Sequence, residues 1–403
     1  MKLSIHAVLV LAAVSTFPCV PTARADKTYG PGVTDAEIKI GNTGPYSGPQ
    51  SVYGTLGRAE AAYFRMINEQ GGVNGRKINF LSLDDGYIPA RTVEHTRRLV
   101  EQDEVLLMFA QVSTAANSAI HKYVNAKGVP HILVSTGATK WADPKHYPWT
   151  MGFLMSYQTE GRIYARYILD TKPDAHIGIL YQNDDYGKDY VRGLKDGLGS
   201  KAAQMIVAEL SYETTDATVD SQIISLKGSG ADVFFDVSAS KFAAQAIRKT
   251  FEIGWAPLHI MNSIGSSVGS VLTPAGPEKA IGLVTTFYVK DPSDPQWKND
   301  PGMLEYLAWL KKYYPEGDAK DGFNVWGYLM AQGLVHVLKQ CGDDLTRENV
   351  MRQMTSIRDL QLPMMLPGIL WNTGPDDYFL IESAQLARFD GKQWVPFGRV
   401  IGR

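Results

Sequence analysis

Residues 38–80 read IKIGNTGPYSGPQSVYGTLGRAEAAYFRMINEQGGVNGRKINF. A short apolar strand enters a Gly/Pro/Ser loop, an amphipathic helix follows, and the Gly71-Gly72 turn leads into a second strand. That order is a βαβ unit, and in open α/β sheets the loop after its first strand lies where ligands bind. This loop carries Tyr46, Ser47, Ser51 and Tyr53 but no nucleophile–base pair, so it is suited to contact rather than reaction.

The same alternation continues outward to about Asn262. Strand patterns at INFLSLDD, VLLMFAQ, HILVSTG, HIGILYQND, QMIVAELSY, DVFFDVS and LHIMNS are separated by helical stretches such as ARTVEHTRRLVEQ and SKFAAQAIRKTFEIG. Strands spaced by helices imply parallel sheets covered on both faces. Eight of them exceed what one lobe of about 150 residues holds, which predicts two Rossmann-like lobes. The junction is expected near YPWTMGFLMSY, residues 147–157. Beyond Asn262 the order changes: GLVTTFYVK, GILWN and AQLARFDGKQWVPF read as strands, MLEYLAWLKKYY and VWGYLMAQGLVHVLKQ as long helices. The second set of helices suggests that the chain returns to the first lobe and then crosses again, making a hinge with a cleft.

The N-terminal residues read as an export signal. Lys2 gives a positive start, Leu3 to Phe17 is mostly apolar, and Ala23-Arg24-Ala25 is a small-x-small cleavage signature. The apolar run is shorter than the roughly 20 residues a membrane span needs. Thr16-Phe17-Pro18 before Cys19 does not fit a lipid-attachment site. Without residues 1–25 only Cys341 remains, so no intramolecular disulfide is expected. Removing Lys2 and Arg24 takes the 40 basic residues to 38, against 42 acidic ones, with no basic block. Nucleic acid and anionic membrane surfaces are therefore poor partners.

Signals for catalysis are weak. None of the eight histidines forms an H-x-x-x-H pair, and His131 and His259 begin strands, where a structural role is expected. Asp84-Asp85 and Asp184-Asp185 stand at strand ends, as N-caps and loop charges do. Gly265-Ser266-Ser267-Val268-Gly269 matches G-x-S-x-G by letters, but it is not set at a sharp strand-to-helix turn. No metal site or cofactor is expected.

The positive signal lies in two strand-to-helix turns. VLLMFAQ runs through Gln111 into Val112-Ser113-Thr114-Ala115, and HILVS runs into Thr136-Gly137-Ala138-Thr139. Hydroxyls beside free backbone N–H groups at a helix start can hold a carboxylate without a cationic side chain. Each bond to a charged acceptor contributes roughly 1.5–3 kcal/mol.

SGPQSVYG, INEQGGVNGRKI, LDD, the Ser/Thr turns, NDDYGKD and FDGKQW, taken in order, resemble the periplasmic substrate-binding proteins of ABC transporters, type I fold, leucine/isoleucine/valine-binding branch. The resemblance implies two Rossmann-like lobes joined by a three-strand hinge. Residues 26–154 with 286–368 would form lobe 1, and 155–285 with 369–403 lobe 2. It also implies a periplasmic monomer without enzymatic turnover, delivering a small carboxylate to an ABC permease and ATPase complex. Carried over by position, Ser113 and Thr114 match the first carboxylate-binding turn, and Gly137 and Thr139 the second, with Gln111 and Thr136 beside them. Tyr53, Tyr186 and Ser238 match further contacts, Ser238 standing where amino-acid binders have an aromatic residue, and Tyr157 is an expected contact from its place near the cleft. These binders also place an acid just after the strand equivalent to LHIM, to hold the ammonium. Here Asn262-Ser263-Ile264-Gly265-Ser266-Ser267 has none, with Asn262 and Ser263 the expected ligand contacts in its place, and burying an unpaired ammonium costs several kcal/mol. Trp141, Phe153, Tyr157 and Tyr186 supply aromatic surface, so the expected ligand is an aromatic or other apolar organic acid. A branched-chain or other amino acid, or a sensory role on the same fold, is the alternative.

Overall fold

The computed structural model describes residues 27–402; the expected signal segment, 1–25, lies outside the described residues. In chain order the first half runs β1 (Thr28–Tyr29), β2 (Glu37–Gly44), α1 (Gly54–Glu69), β3 (Lys77–Asp84), α2 (Pro89–Glu101), β4 (Leu107–Phe109), α3 (Thr114–Ala126), β5 (His131–Val134) and β6 (Thr150–Gly152). There follow α4 (Tyr157–Thr171), β7 (Ile177–Gln182), α5 (Asp185–Leu198), α6 (Ala202–Met205), β8 (Ile206–Tyr212), α7 (Asp220–Gly228), β9 (Val233–Val237), α8 (Lys241–Glu252), β10 (Leu258–Met261), α9 (Thr273–Ala275) and β11 (Val284–Phe287). The chain closes with α10 (Pro301–Tyr313), α11 (Gly322–Cys341), β12 (Asp344–Leu345), α12 (Arg347–Met354), β13 (Ser383–Phe389) and β14 (Trp394–Gly402).

Two sheets result. One is parallel, in the order β3-β2-β4-β5-β6; the other runs β14-β13-β11-β10-β9-β7-β8, parallel from β8 to β11 with an antiparallel hairpin at its edge. The fold is α/β, as the alternation requires. α11 returns to lie along α1 beside the first sheet, and Gly327 permits the approach, because a Cβ there would press on the Leu56 carbonyl. The crossing segment 288–290 pairs with 364–366. GILWN, read as a strand, is not one: a single bridge joins Trp371 to Leu360. Its apolar letters serve the core instead, with Trp371 buried against Phe153 and Gly333. β6 was missed because three residues carry too little periodicity.

Both sheets change winding direction once, between β2 and β4 and between β7 and β9. The loops leaving the carboxyl ends of those strands face a common crevice. In the C-terminal hairpin, Trp394 is buried, and its Nε1 donates to the Ser266 carbonyl at 2.9 Å, propping the loop after β10. Among the described residues no helix is long and apolar enough to cross a membrane.

His131, at the start of β5, has the structural role its position suggested. Its Nε2 bonds the Asn117 side-chain oxygen at 2.8 Å, while the Asn117 amide donates to the carbonyls of Gln111, Val112 and Ser113. Burial lowers the imidazole pKa from 6.5 to about 3. The unfolded chain thus takes up a proton first as pH falls, so the stabilisation is whole above 6.5 and lost toward 3. Thermal melts should show His131→Gln with a shallower loss of melting temperature between those pH values than the parent. Equal slopes would rule out His131 as a contributor.

Candidate functional site

The crevice holds two adjoining chambers. The first is lined by Tyr53, Leu56, Tyr87, Val112, Ser113, Thr114, Ser135, Thr136, Phe323 and Trp326 from the side of the first sheet, and by Tyr157, Tyr186, Ala239 and Ile264 from the other. Its walls come from the two switch points. Ser113 and Thr114 follow β4, Tyr186 follows β7, and Ala239 follows β9.

Ser113 caps α3, its Oγ accepting from the Ala116 amide at 3.2 Å, while its carbonyl accepts from Asn117. The amides of Thr114 and Ala115 remain, which helix geometry leaves without intrahelical partners, at the positive end of the helix dipole. Ser113 has φ 79° and Tyr87 φ 65°; Ala110 and Ser240, next to lining segments, are also left-handed. Strained non-glycine backbone of this kind collects at ligand-contact sites.

Aromatic rings form the rest of the wall. Tyr53 stacks on Tyr87 with centroids 6.1 Å apart and meets Phe323 at 5.0 Å; Tyr157 packs edge-on against Tyr186 and flat on Tyr190. Burial raises the pKa values of Tyr53, Tyr87, Tyr157 and Tyr186 above 10, so these phenols stay neutral. No charged side chain lines the first chamber among the described residues.

Of the residues singled out from sequence, Tyr53, Ser113, Thr114, Thr136, Tyr157 and Tyr186 come together there; the others do not. The Gln111 amide donates to Thr43 Oγ1 at 2.9 Å in the sheet interior. Gly137 packs too tightly for a side chain, since a Cβ would run into the Met155 carbonyl. Ser238 turns back onto Asp236, its Oγ 2.5 Å from the carboxylate. Asn262 is an internal brace: its amide holds the carbonyls of Asp236 and Ser238, and its oxygen accepts from Tyr186 and Ile264. Ser263 donates through N and Oγ to Glu160, at 2.8 and 2.9 Å. Trp141 bonds Thr136 and packs on His121, and Phe153 meets Trp371, both in the core. Ser267 Oγ donates to Asp321 at 3.0 Å.

Thr139 was expected to meet a ligand carboxylate. Its N–H and hydroxyl both donate to Asp189 of α5, each at 2.8 Å. Beside it Lys140 reaches Asp185 at 2.5 Å. The turn has the donors for an anion, and the anion is a side chain across the crevice.

Tyr87, Ser135, Ala239, Ile264, Phe323 and Trp326 were not anticipated. Tyr87 follows the carboxyl end of β3 and could have been found by that rule. Phe323 and Trp326 sit on a helix more than 250 residues from Tyr53, and only packing brings them in.

The periplasmic binding protein profile matches residues 37–393, and the chain belongs to that family. Leu/Ile/Val-binding protein homolog 7 of Brucella abortus is 24% identical over 322 residues, 77% of this chain and 79% of that protein. A Pseudomonas aeruginosa amino acid binding protein is 22% identical over 316 residues, 76% of this chain and 79% of that one. Among solved structures, a branched-chain amino acid ABC transporter protein from Thermus thermophilus with bound valine superposes with a TM-score of 0.81 at 17% identity, covering 91% of this chain and 97% of that one. A fatty acid ABC transporter substrate-binding protein from Thermomonospora curvata gives 0.78 at 22%, covering 94% and 95%.

Asp189 lies outside the chamber, so Asp189→Ala should weaken every ligand by a similar factor, roughly tenfold, and raise the ligand-free radius of gyration in small-angle scattering. A loss confined to one ligand would place Asp189 in the site instead.

Proposed function

We propose that this protein is a solute receptor of an ABC importer, exported to the periplasm by a cleaved leader, that closes on a small organic acid with an aromatic or other apolar body. The lobes would be 26–154 with 286–368 and 155–285 with 369–403. One observation carries the ligand class. The first chamber joins the first-turn amides of α3 and neighbouring hydroxyls to six aromatic rings, with no acidic group to balance an ammonium. The buried acids near the expected ammonium position are already engaged: Glu160 accepts from Tyr164, Tyr190 and both donors of Ser263, Asp236 from the amide and hydroxyl of Ser238, and Asp321 from Ser267 and the Phe323 amide. A carboxylate needs donors and a dry, low-dielectric surround, both supplied; an ammonium needs a counter-charge.

The second reading is an amino-acid receptor, favoured by the names of the relatives, while a neighbour named for fatty acids supports the first. Thermal shift with leucine, valine, phenylacetate and decanoate separates them. The acids should raise the melting temperature and the amino acids leave it unchanged; the reverse pattern would overturn the proposal. Thr114→Val, which removes a hydroxyl but keeps the helix amides, should weaken the acid that binds by roughly tenfold in calorimetry.

A further inference from the structure

The Gly265 to Gly269 stretch, which matches a nucleophile turn only by its letters, makes a contact of another kind. It belongs to the loop after β10 of the second sheet and seats against residues 318–322, the turn that opens α11 beside the first sheet. Three hydrogen bonds cross between them. Ser267 Oγ donates to Asp321 at 3.0 Å, the Gly322 amide donates to Ser267 Oγ at 3.3 Å, and the Gly269 amide donates to the Lys320 carbonyl at 3.0 Å. The approach leaves no room for a side chain at position 269, where a Cβ would stand 2.7 Å from the Asp318 carboxylate and 3.0 Å from the Asp321 nitrogen. Ser267 and Asp321 are both buried, so little water competes for the bond between them.

Asp321 carries the contact further. The same carboxylate oxygen accepts from the Phe323 amide at 3.0 Å and caps α11. Phe323 and Trp326, near the start of that helix, line both chambers, and Tyr288 of the crossing segment shares the wall of the second with Ser267 and Val268. Phe323 meets Tyr53 with centroids 5.0 Å apart. Asn324, buried beside it, holds the Asp318 carbonyl and accepts from Thr55, two positions after Tyr53. The loop after β10 also has anchors on its own side, Ser263 on Glu160 and the Ser266 carbonyl on Trp394. Loss of the Ser267 hydroxyl therefore leaves the loop in place and removes its hold on α11, together with one local bond from the Ser270 amide.

We propose that Ser267 is a positioning residue for ligand retention: through Asp321 it ties the loop after β10 to the start of α11 and fixes Phe323 and Trp326 against whatever fills the first chamber. Ser267 does not line that chamber, so its effect falls on how long a ligand stays and not on which ligand is taken. The tie serves an organic acid and an amino acid alike.

The test begins without ligand. Hydrogen exchange should find the Gly269 amide protected in the parent, and Ser267→Ala should speed its exchange about tenfold while amides of β10 and the middle of α11 keep their rates. Stopped-flow dissociation then uses phenylacetate or leucine, whichever raises the melting temperature of the parent. Ser267→Ala and Gly269→Ala should each release the probe about tenfold faster, with the association rate unchanged. Gly269→Ala keeps the Ser267 hydroxyl and its bond from Ser270, so a purely local role for Ser267 would leave this variant at the parent rate. Asp321→Asn, which keeps an oxygen for both donors, should release the probe more slowly than Ser267→Ala does. Exchange at Gly269 as fast as in an unstructured chain, with and without probe, would show that the loop and α11 do not meet in solution and would overturn the proposal. Parent-like release from Gly269→Ala would overturn it as well. If neither probe binds, the ligand reading fails on its own, and exchange at Gly269 in Ser267→Ala still accepts or rejects the tie.

Discussion

The crevice depends on one buried carboxyl. Glu160 of α4 accepts from the Tyr164 and Tyr190 hydroxyls at 2.6 and 2.7 Å and from the amide and hydroxyl of Ser263. Tyr164 also accepts from the Thr286 amide on the crossing strand β11. Burial pushes the carboxyl pKa up, while these hydrogen bonds favour its charged form. Four donors on one group fix α4, α5, the loop after β10 and the crossing strand relative to one another, and removing such a hub strands all of them at once. Glu60 of α1 is the contrast: equally buried, without a partner among the described residues, its pKa raised well above the usual range by burial alone.

Because Glu160 is saturated, the acid the loop after β10 lacks is not replaced by one from beneath it. Selectivity in the first chamber is left to neutral groups: helix amides, hydroxyls, and rings that bury apolar area without adding charge. Outside it, Thr139 and Lys140 join Asp189 and Asp185 across the mouth. Contacts at the mouth are charged and join the two sides of the crevice; the side chains lining the chamber are uncharged.

Much of this was legible in the sequence, and where it was not the reason is physical. The eight strands from β2 to β10 other than β6 stood out because apolar runs alternated with helical periods. Ser113 and Thr114 stood out as hydroxyls at a strand-to-helix turn, where ligands gather in parallel sheets, while Tyr186 was marked by the family resemblance of its NDDYG stretch. Thr139 was misread because a hydroxyl at a turn start has the same letters whether it meets a ligand or a side chain 50 positions on. Ser238 and Asn262 were misread for a related reason, since Asp236 and Tyr186 take up their hydrogen-bonding groups first. Tyr288, Phe323 and Trp326 carry no local signal, because their place at the crevice comes from the chain's return to the first sheet.

The Trp394 prop bears on the order in which the protein matures. Ser266, which it holds, belongs to the loop that walls both chambers, yet Trp394 itself opens β14, the final strand. A chain emerging amino end first completes nearly all of both sheets before this indole exists. The loop after β10 therefore gains this brace only with the final strand, the last piece of the second sheet to be made.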